Sequence, residues 1–147
     1  MKSNATKLMA VLAIMAGVPQ IASADNAPFV IAEAGKAKAV IILDKNAGRE
    51  TRYAATELAD FLGKMTGGRF VVTENPVDGF NTIRVGSPYK PSKADELCIR
   101  VKDAKTLEIT GDGPLGTLYA VDDLLETFGV VYCAPEFDSI PDRPELE

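Results

Sequence analysis

Carboxylates are the side chains of this chain with the clearest potential for chemistry. The sequence contains no histidine, which removes the most common general base and metal ligand and the nucleophile pairs that depend on histidine. Glycoside hydrolysis, in contrast, needs only two carboxyl groups, held about 5 to 9.5 Å apart. The candidates for such a pair are Asp122, Asp123 and Glu126 in one segment, and Glu50 and Glu57 in another.

These carboxylates also have a simpler explanation, because both groups fall on amphipathic helical patterns. They avoid the apolar positions of those patterns, and acidic residues are the usual occupants of a solvated helix face. Cys98 and Cys133 cannot supply the four ligands of a structural zinc site without further donors. We therefore assign no catalytic, cofactor-binding or metal-binding residue and expect no cofactor.

Glycines and tyrosines provide two further candidate sites. Gly111, Gly113 and Gly116 lie between a predicted strand and a predicted helix, where a phosphate could bind. No Lys-Ser or Lys-Thr follows them as in a P-loop, so a structural turn is favoured. For a sugar-binding surface the sequence offers no tryptophan. Tyr53 and Tyr119 are expected to pack at the core or its rim, which leaves three weak candidates: Tyr89, Tyr132 and Phe137.

The first 24 residues have the layout of a secretory signal peptide. Lys2 and Lys7 precede an uncharged apolar run at 8–18, and Ala22 and Ala24 supply the small residues of a cleavage site. The apolar run is shorter than the roughly 20 residues of a membrane-spanning helix. We expect residues 1–24 to be removed and the protein to be exported to the periplasm or the cell exterior; an uncleaved anchor is the alternative.

The remaining residues, 25–147, are the size of one ordinary domain. The whole chain has a net charge of −5, and loss of Lys2 and Lys7 makes it −7. This acidic balance argues against binding to nucleic acid or to anionic lipid, and we expect no membrane association after cleavage. In an oxidising compartment Cys98 and Cys133 could form a disulfide, although their apolar surroundings fit two buried thiols equally.

Apolar periodicity predicts two helices. In the segment 46–65, apolar residues recur every three or four positions, with Asn46 as a possible N-cap and Gly67 as the stop: Ala54, Ala55, Leu58, Phe61, Leu62 and Met65. Glu57, Asp60 and Lys64 should then be largely solvated. The second stripe ends at Gly129 and comprises Leu118, Val121, Leu124, Leu125 and Phe128.

Short runs of β-branched and alternating residues predict seven strands around these helices: 29–33, 39–43, 69–74, 82–85, 97–101, 106–109 and 130–133. The first two are expected to form a hairpin, as are 97–101 and 106–109. The tail, 135–147, is rich in proline and acidic residues and is expected to be a linker or truncated end that adds nothing to the core. The order of elements indicates an α+β domain over residues 25–134, a mixed sheet with both helices packed on one face.

Two motifs resemble a known family. Residues 54–67 are similar to the "AA-x-EL-x-x-x-L-x-x-x-TG" helix of the N-terminal domain of family 67 α-glucuronidases and related bacterial glycosidase-like proteins. Residues 109–126 resemble the "I-x-G-x-x-x-x-G-x-LY-x-V-x-x-LLE" strand and helix of that family. The segment 130–135 lies where relatives have a "GVRWYAP"-like strand, with Tyr132 and Cys133 in place of Trp-Tyr, and Leu115 stands where arginine is common.

The resemblance implies a fold like domain 2 of β-hexosaminidases, in which a non-catalytic domain precedes a catalytic barrel. The family's catalytic carboxylates lie in that barrel, so none is transferred to this sequence. The resemblance therefore predicts an accessory domain of an exported glycoside hydrolase that breaks down xylan or another polysaccharide. The barrel is the expected partner, and the chain would be a fragment without it. The alternative is a stand-alone exported domain that binds carbohydrate or protein.

Overall fold

The computed structural model describes residues 28–87, 96–133 and 138–147. The predicted signal peptide lies outside these residues. Nine strands and two helices occur in the described part of the chain. In order they are β1 Ala32–Glu33, β2 Lys36–Ala37, β3 Ala39–Leu43, α1 Arg49–Thr66, β4 Val72–Thr73, β5 Asn81–Val85, β6 Leu97–Asp103, β7 Thr106–Gly111, α2 Gly113–Thr127, β8 Val131–Tyr132 and β9 Asp138–Ser139.

Five strands form the main sheet, in the order β4-β3-β5-β7-β6. The neighbours from β4 to β7 are parallel, and β6 pairs antiparallel with β7. Helix α1 connects the parallel strands β3 and β4, as a crossover connection requires. The prediction of an α+β arrangement with a mixed sheet and two helices is confirmed at this level.

The core lies between the sheet and the two helices. Alternate strand residues, including Ile41, Ile83 and Ile109, join one cluster with the apolar stripes of α1 and α2. All six predicted core positions of α1 are buried, from Ala54 to Met65. Strand β3 is buried along its whole length, on both faces, as is usual for strands inside a parallel sheet.

The predicted hairpin of residues 29–33 with 39–43 is wrong. A shorter hairpin forms instead, in which β1 pairs with β2 around Ala34 and Gly35. Both residues have positive φ, 49° and 71°, as a tight two-residue turn requires. Residues 39–43 pair with β4 and β5 instead, because their continuous apolar run can be buried only at the centre of the sheet.

The helix ends agree closely with the sequence pattern. Helix α1 begins after Gly48, two residues beyond the proposed cap Asn46, and ends at Gly67, whose left-handed backbone donates its N–H to the Gly63 carbonyl. Gly129 follows α2 with φ 98°. No helix among the described residues is long and apolar enough to cross a membrane.

The tail contributes to the core, contrary to prediction. Leu146 is 3% exposed and belongs to the main cluster. Its N–H and carbonyl exchange hydrogen bonds with the backbone of Ala32, and the Arg143 N–H donates to the Met65 carbonyl at 2.7 Å. The tail has few apolar residues, but it can still pack against the core because the first hairpin provides hydrogen-bond partners for its backbone.

Candidate functional site

Two acidic side chains from different helices lie near each other, Glu57 and Asp122. Glu57 of α1 and Asp122 of α2 are each half-buried. Burial raises the pKa of Glu57, and the charges of Asp122, Asp138 and Asp60 raise it further. The prediction that Glu57 is largely solvated is therefore wrong.

Tyr132 lies between the two helices at this site. Its hydroxyl donates to Asp122 Oδ1 across 3.4 Å, and its ring packs edge-on against Phe61 with 5.7 Å between the ring centroids. Burial raises the pKa of Tyr132, and so does the negative charge of Asp122. Burial likewise raises the pKa of Asp122, against the opposing effect of the hydrogen bond from Tyr132. The phenol is therefore protonated at neutral pH and can donate this hydrogen bond to Asp122.

Exposed tyrosines flank this carboxylate pair. Tyr53 precedes Glu57 by four residues on α1, and Tyr119 precedes Asp122 by three on α2, so each shares a helix face with its carboxylate. Tyr53 is 58% exposed and Tyr119 53%, which corrects the prediction that they pack at the core or its rim. We call Tyr53, Glu57, Tyr119, Asp122 and Tyr132 the aromatic-acidic surface. Tyr89 and Phe137 lie outside the described residues.

Of the other candidate carboxylates, Glu126 lies one turn from Asp122 on α2, and its charge also raises the pKa of Asp122. Asp123 and Glu126 are exposed on α2, and Glu50 lies in the first turn of α1. The sequence grouped the carboxylates within each helix, whereas the structure places Glu57 near Asp122 across two helices. The sequence could have suggested this pair only if it were known which turns of α1 and α2 pack against each other.

None of the three cavities that described residues line includes a residue of the aromatic-acidic surface. Three cavities lined by described residues lie elsewhere: one of about 430 Å³ beside Asp60 and Lys64, one of about 310 Å³ beside β6 and α2, and one of about 230 Å³ beside Leu146. Within the described ranges, no three carboxylates and thiols are grouped to hold a metal ion. The carboxylates of this surface can accept hydrogen bonds from a partner and form ion pairs with it.

The three glycines before α2 have a packing role. Their spacing, at 111, 113 and 116, is the G-x-G-x-x-G of dinucleotide-binding turns. A Cβ on Gly111 would lie 2.2 Å from the Gly116 carbonyl oxygen, so β7 and α2 touch backbone to backbone. Asp112 is the N-cap of α2, and its carboxylate would repel a phosphate there. Strand β8 also pairs only with β9 among the described strands, unlike the second strand of a dinucleotide-binding unit.

Both cysteines are free thiols in the structure, Cys98 partly buried and Cys133 exposed. The alternative of two buried thiols is therefore wrong for Cys133.

No protein-family model matches this chain, and a search of curated proteins finds no match to it either.

Proposed function

We propose that this chain is a non-catalytic accessory domain of an exported glycoside hydrolase that degrades xylan or another polysaccharide, and that its aromatic-acidic surface docks on the catalytic barrel. The observation that carries the proposal is this surface, where tyrosines are exposed and carboxylates are half-buried on otherwise well-packed helices. Tyrosine is enriched at protein interfaces, because it combines a large apolar ring with a polar tip.

Residues of the two family-like motifs also support the accessory role, because they are buried or packed against each other. Ala54, Ala55 and Leu58 of the first motif are completely buried, and Gly111 and Gly116 of the second are held in mutual contact. The residues that carry the resemblance to α-glucuronidase N-terminal domains therefore have a structural role. This leaves the exposed positions of the same helices to meet a partner. We extend the proposal to a fold like domain 2 of β-hexosaminidases.

The experiment pairs the purified chain with the barrel encoded downstream of codon 147, expressed as a separate polypeptide. We expect the two to co-purify and the double variant Tyr53→Ala/Tyr119→Ala to lose the barrel. Val77→Ala, which alters an exposed apolar residue of the loop after β4, is the matched control and should retain it. A downstream sequence without any barrel-coding frame would overturn the proposal.

A second candidate function is a stand-alone exported domain that binds carbohydrate. It is favoured by the same exposed rings of Tyr53 and Tyr119, which could stack on sugar faces. Calorimetric titration with xylan and chitin oligomers separates the two candidates. Heat with a defined stoichiometry that disappears in Tyr53→Ala/Tyr119→Ala would favour sugar binding, whereas no heat with either oligomer would favour docking on a barrel.

A further inference from the structure

Strand β6 forms one edge of the main sheet. No other strand among the described residues pairs with its outer side. The Glu96 carbonyl accepts the Asp112 N–H at 3.1 Å, on the side of β7. Because backbone groups of successive residues point to opposite edges of a strand, the N–H and carbonyl groups of Leu97, Ile99 and Val101 point outward, where they can pair with a further strand.

The side chains of the same three residues form an apolar row. Ile99 packs against the core cluster, so Leu97 and Val101 lie on the helix side of the sheet with it. Leu97 is 39% exposed and Val101 57%. Ile99 and Val101 line the 310 Å³ cavity, together with Leu124 of α2 and Phe128, which follows that helix. An additional strand here would cover apolar surface as well as satisfy backbone groups.

The opposite side of β6 carries alternating charge. Arg100 and Lys102 lie on the face of Glu108, with nitrogen to carboxylate distances of 2.6 and 4.0 Å. Glu96 lies on this face too, by alternation from Leu97. The strand therefore has an acidic residue at its start and basic residues toward its end. Such an arrangement is complementary to itself when a second copy runs antiparallel.

We propose that β6 is the interface of a homodimer, in which β6 strands from two copies pair antiparallel about a two-fold axis through Ile99. In this register Leu97 lies opposite Val101 of the second copy, and the Glu96 side chain lies beside that of Lys102 of the second copy, just beyond the end of the ladder. Each of these pairs occurs twice. The two five-stranded sheets become one continuous sheet, with both helix layers on the same side.

Other registers are less complementary. An axis through Arg100 would place Arg100 opposite its own copy, and like charges directly opposite each other are destabilising. An axis through Cys98 would place the thiols opposite each other and would leave Val101 without an apolar partner. Lysine residues and bulges usually protect sheet edges, and β6 has a bulge between Val101 and Asp103. The bulge ends the regular backbone ladder at Val101, so Glu96 and Lys102 of the second copy meet only through their side chains at the ends of the paired segment. Because the segment is short, the dimer should be weak.

The test is sedimentation equilibrium of the purified mature chain at low salt. We expect dimerisation with a Kd on the order of 10 to 100 µM, as suits an interface at the small end of the usual range. Lys102→Glu or Glu96→Lys alone should raise the Kd about tenfold, since each places like charges opposite each other twice. The double exchange Glu96→Lys/Lys102→Glu should restore the parental Kd. If each substitution merely disturbed the structure, the double variant would not regain it.

Lys105→Glu is the matched control, because it makes the same charge change in the turn between β6 and β7, outside the ladder, and should leave the Kd unchanged. Circular dichroism checks that each variant is folded. A monomer at every concentration up to about 500 µM, far above the expected Kd, would overturn the proposal. A dimer unaffected by either single exchange, or a Cys98 to Cys98 crosslink on oxidation, would overturn the register through Ile99.

Discussion

At the scale of single residues, two positions in this structure are held in unfavourable states. One is Ala34, whose φ of 49° lies in the left-handed region. For a residue other than glycine this conformation costs roughly 1 to 2 kcal/mol. Its N–H is nevertheless well placed, donating to Glu145 Oε1 at 2.8 Å. The other is Glu57, whose carboxylate is half-buried among acidic neighbours.

Replacing Ala34 by asparagine should stabilise the protein. Asparagine tolerates the left-handed conformation and is preferred in two-residue hairpin turns before glycine, so we expect a gain of about 0.5 to 1 kcal/mol in the free energy of unfolding. Urea denaturation measures it. Ala34→Val, with a β-branched side chain at the same φ, should destabilise the protein; equal midpoints for the two variants would contradict the assignment of strain.

Glu57→Gln should stabilise the protein at pH 7. The pKa of Glu57 is raised in the folded state, so the folded protein binds this proton more tightly than the unfolded chain does. The stability from this group is present below the unfolded pKa, about 4.3, and is lost as pH rises through the raised folded pKa. The variant should therefore have the higher urea midpoint at pH 7, and its advantage should vanish near pH 4.

The control for this pH dependence is Glu74→Gln, at an exposed position of the loop after β4. It should show little difference from the parent at either pH. If Glu57→Gln instead lowered the urea midpoint at pH 7, an uncharacterised favourable contact of the carboxylate would outweigh its burial.

At the scale of elements, the buried stripe of α1 is the contact that holds the helix on the sheet. Leu58 is fully buried at its centre. Leu58→Ala should cost about 2 to 5 kcal/mol, the usual range for truncation in a packed core. Thr56→Ala, on the exposed side of the same helix, should cost about 0.5 kcal/mol or less. Urea midpoints at unchanged slope would verify this difference, and similar midpoints would mean that the stripe does not face the core.

The crossing of β7 and α2 is the second element-scale contact. A Cβ at Gly116 would lie 2.6 Å from the carbonyl carbon of Gly111, and backbone atoms cannot move aside cheaply. We expect Gly116→Ala to destabilise the protein by about 1 to 3 kcal/mol or more, as overpacking does. Gly48→Ala meets only the flexible end of Glu50 at 3.6 Å and should change stability by less than about 1 kcal/mol. Thermal unfolding of both variants compares them.

At the scale of the whole molecule, the tail contacts both the first hairpin and the strand that follows α2. Leu146 pairs with Ala32, and β9 pairs with β8 after α2. The tail therefore links the first hairpin, the end of α1 and the strand after α2. The backbone amides of the tail should therefore be as protected from hydrogen exchange as those of the sheet edge. A connection from the tail to a further domain stays a prediction from the sequence.

Leu146→Ala should consequently lower the stability of the whole protein, by about 2 kcal/mol or more, because the side chain is buried in the core. Glu147→Ala, at the exposed neighbouring position, should have an effect within about 0.5 kcal/mol. A shift in the thermal midpoint of the first variant alone would bear out the role of the tail. If both variants unfolded like the parent, the tail would be a separable segment.

The sequence by itself determined those features that depend on neighbours in the chain. The apolar stripes of α1 and α2, the stop at Gly67 and the β6–β7 hairpin were all predicted, since helix and hairpin patterns repeat over a few residues. The absence of histidine likewise restricted the possible chemistry through composition alone.

Only the tertiary structure decided which distant segments meet. Residues 39–43 lie at the centre of the sheet and not in the expected hairpin. Leu146 is part of the core, and Glu57 lies near Asp122, which is on another helix. Each contact joins segments far apart in the chain, and its energy comes from surface buried when whole elements pack. Local spacing contains no information on that packing, so the aromatic-acidic surface and the exposed edge of β6 could be recognised only in the folded molecule.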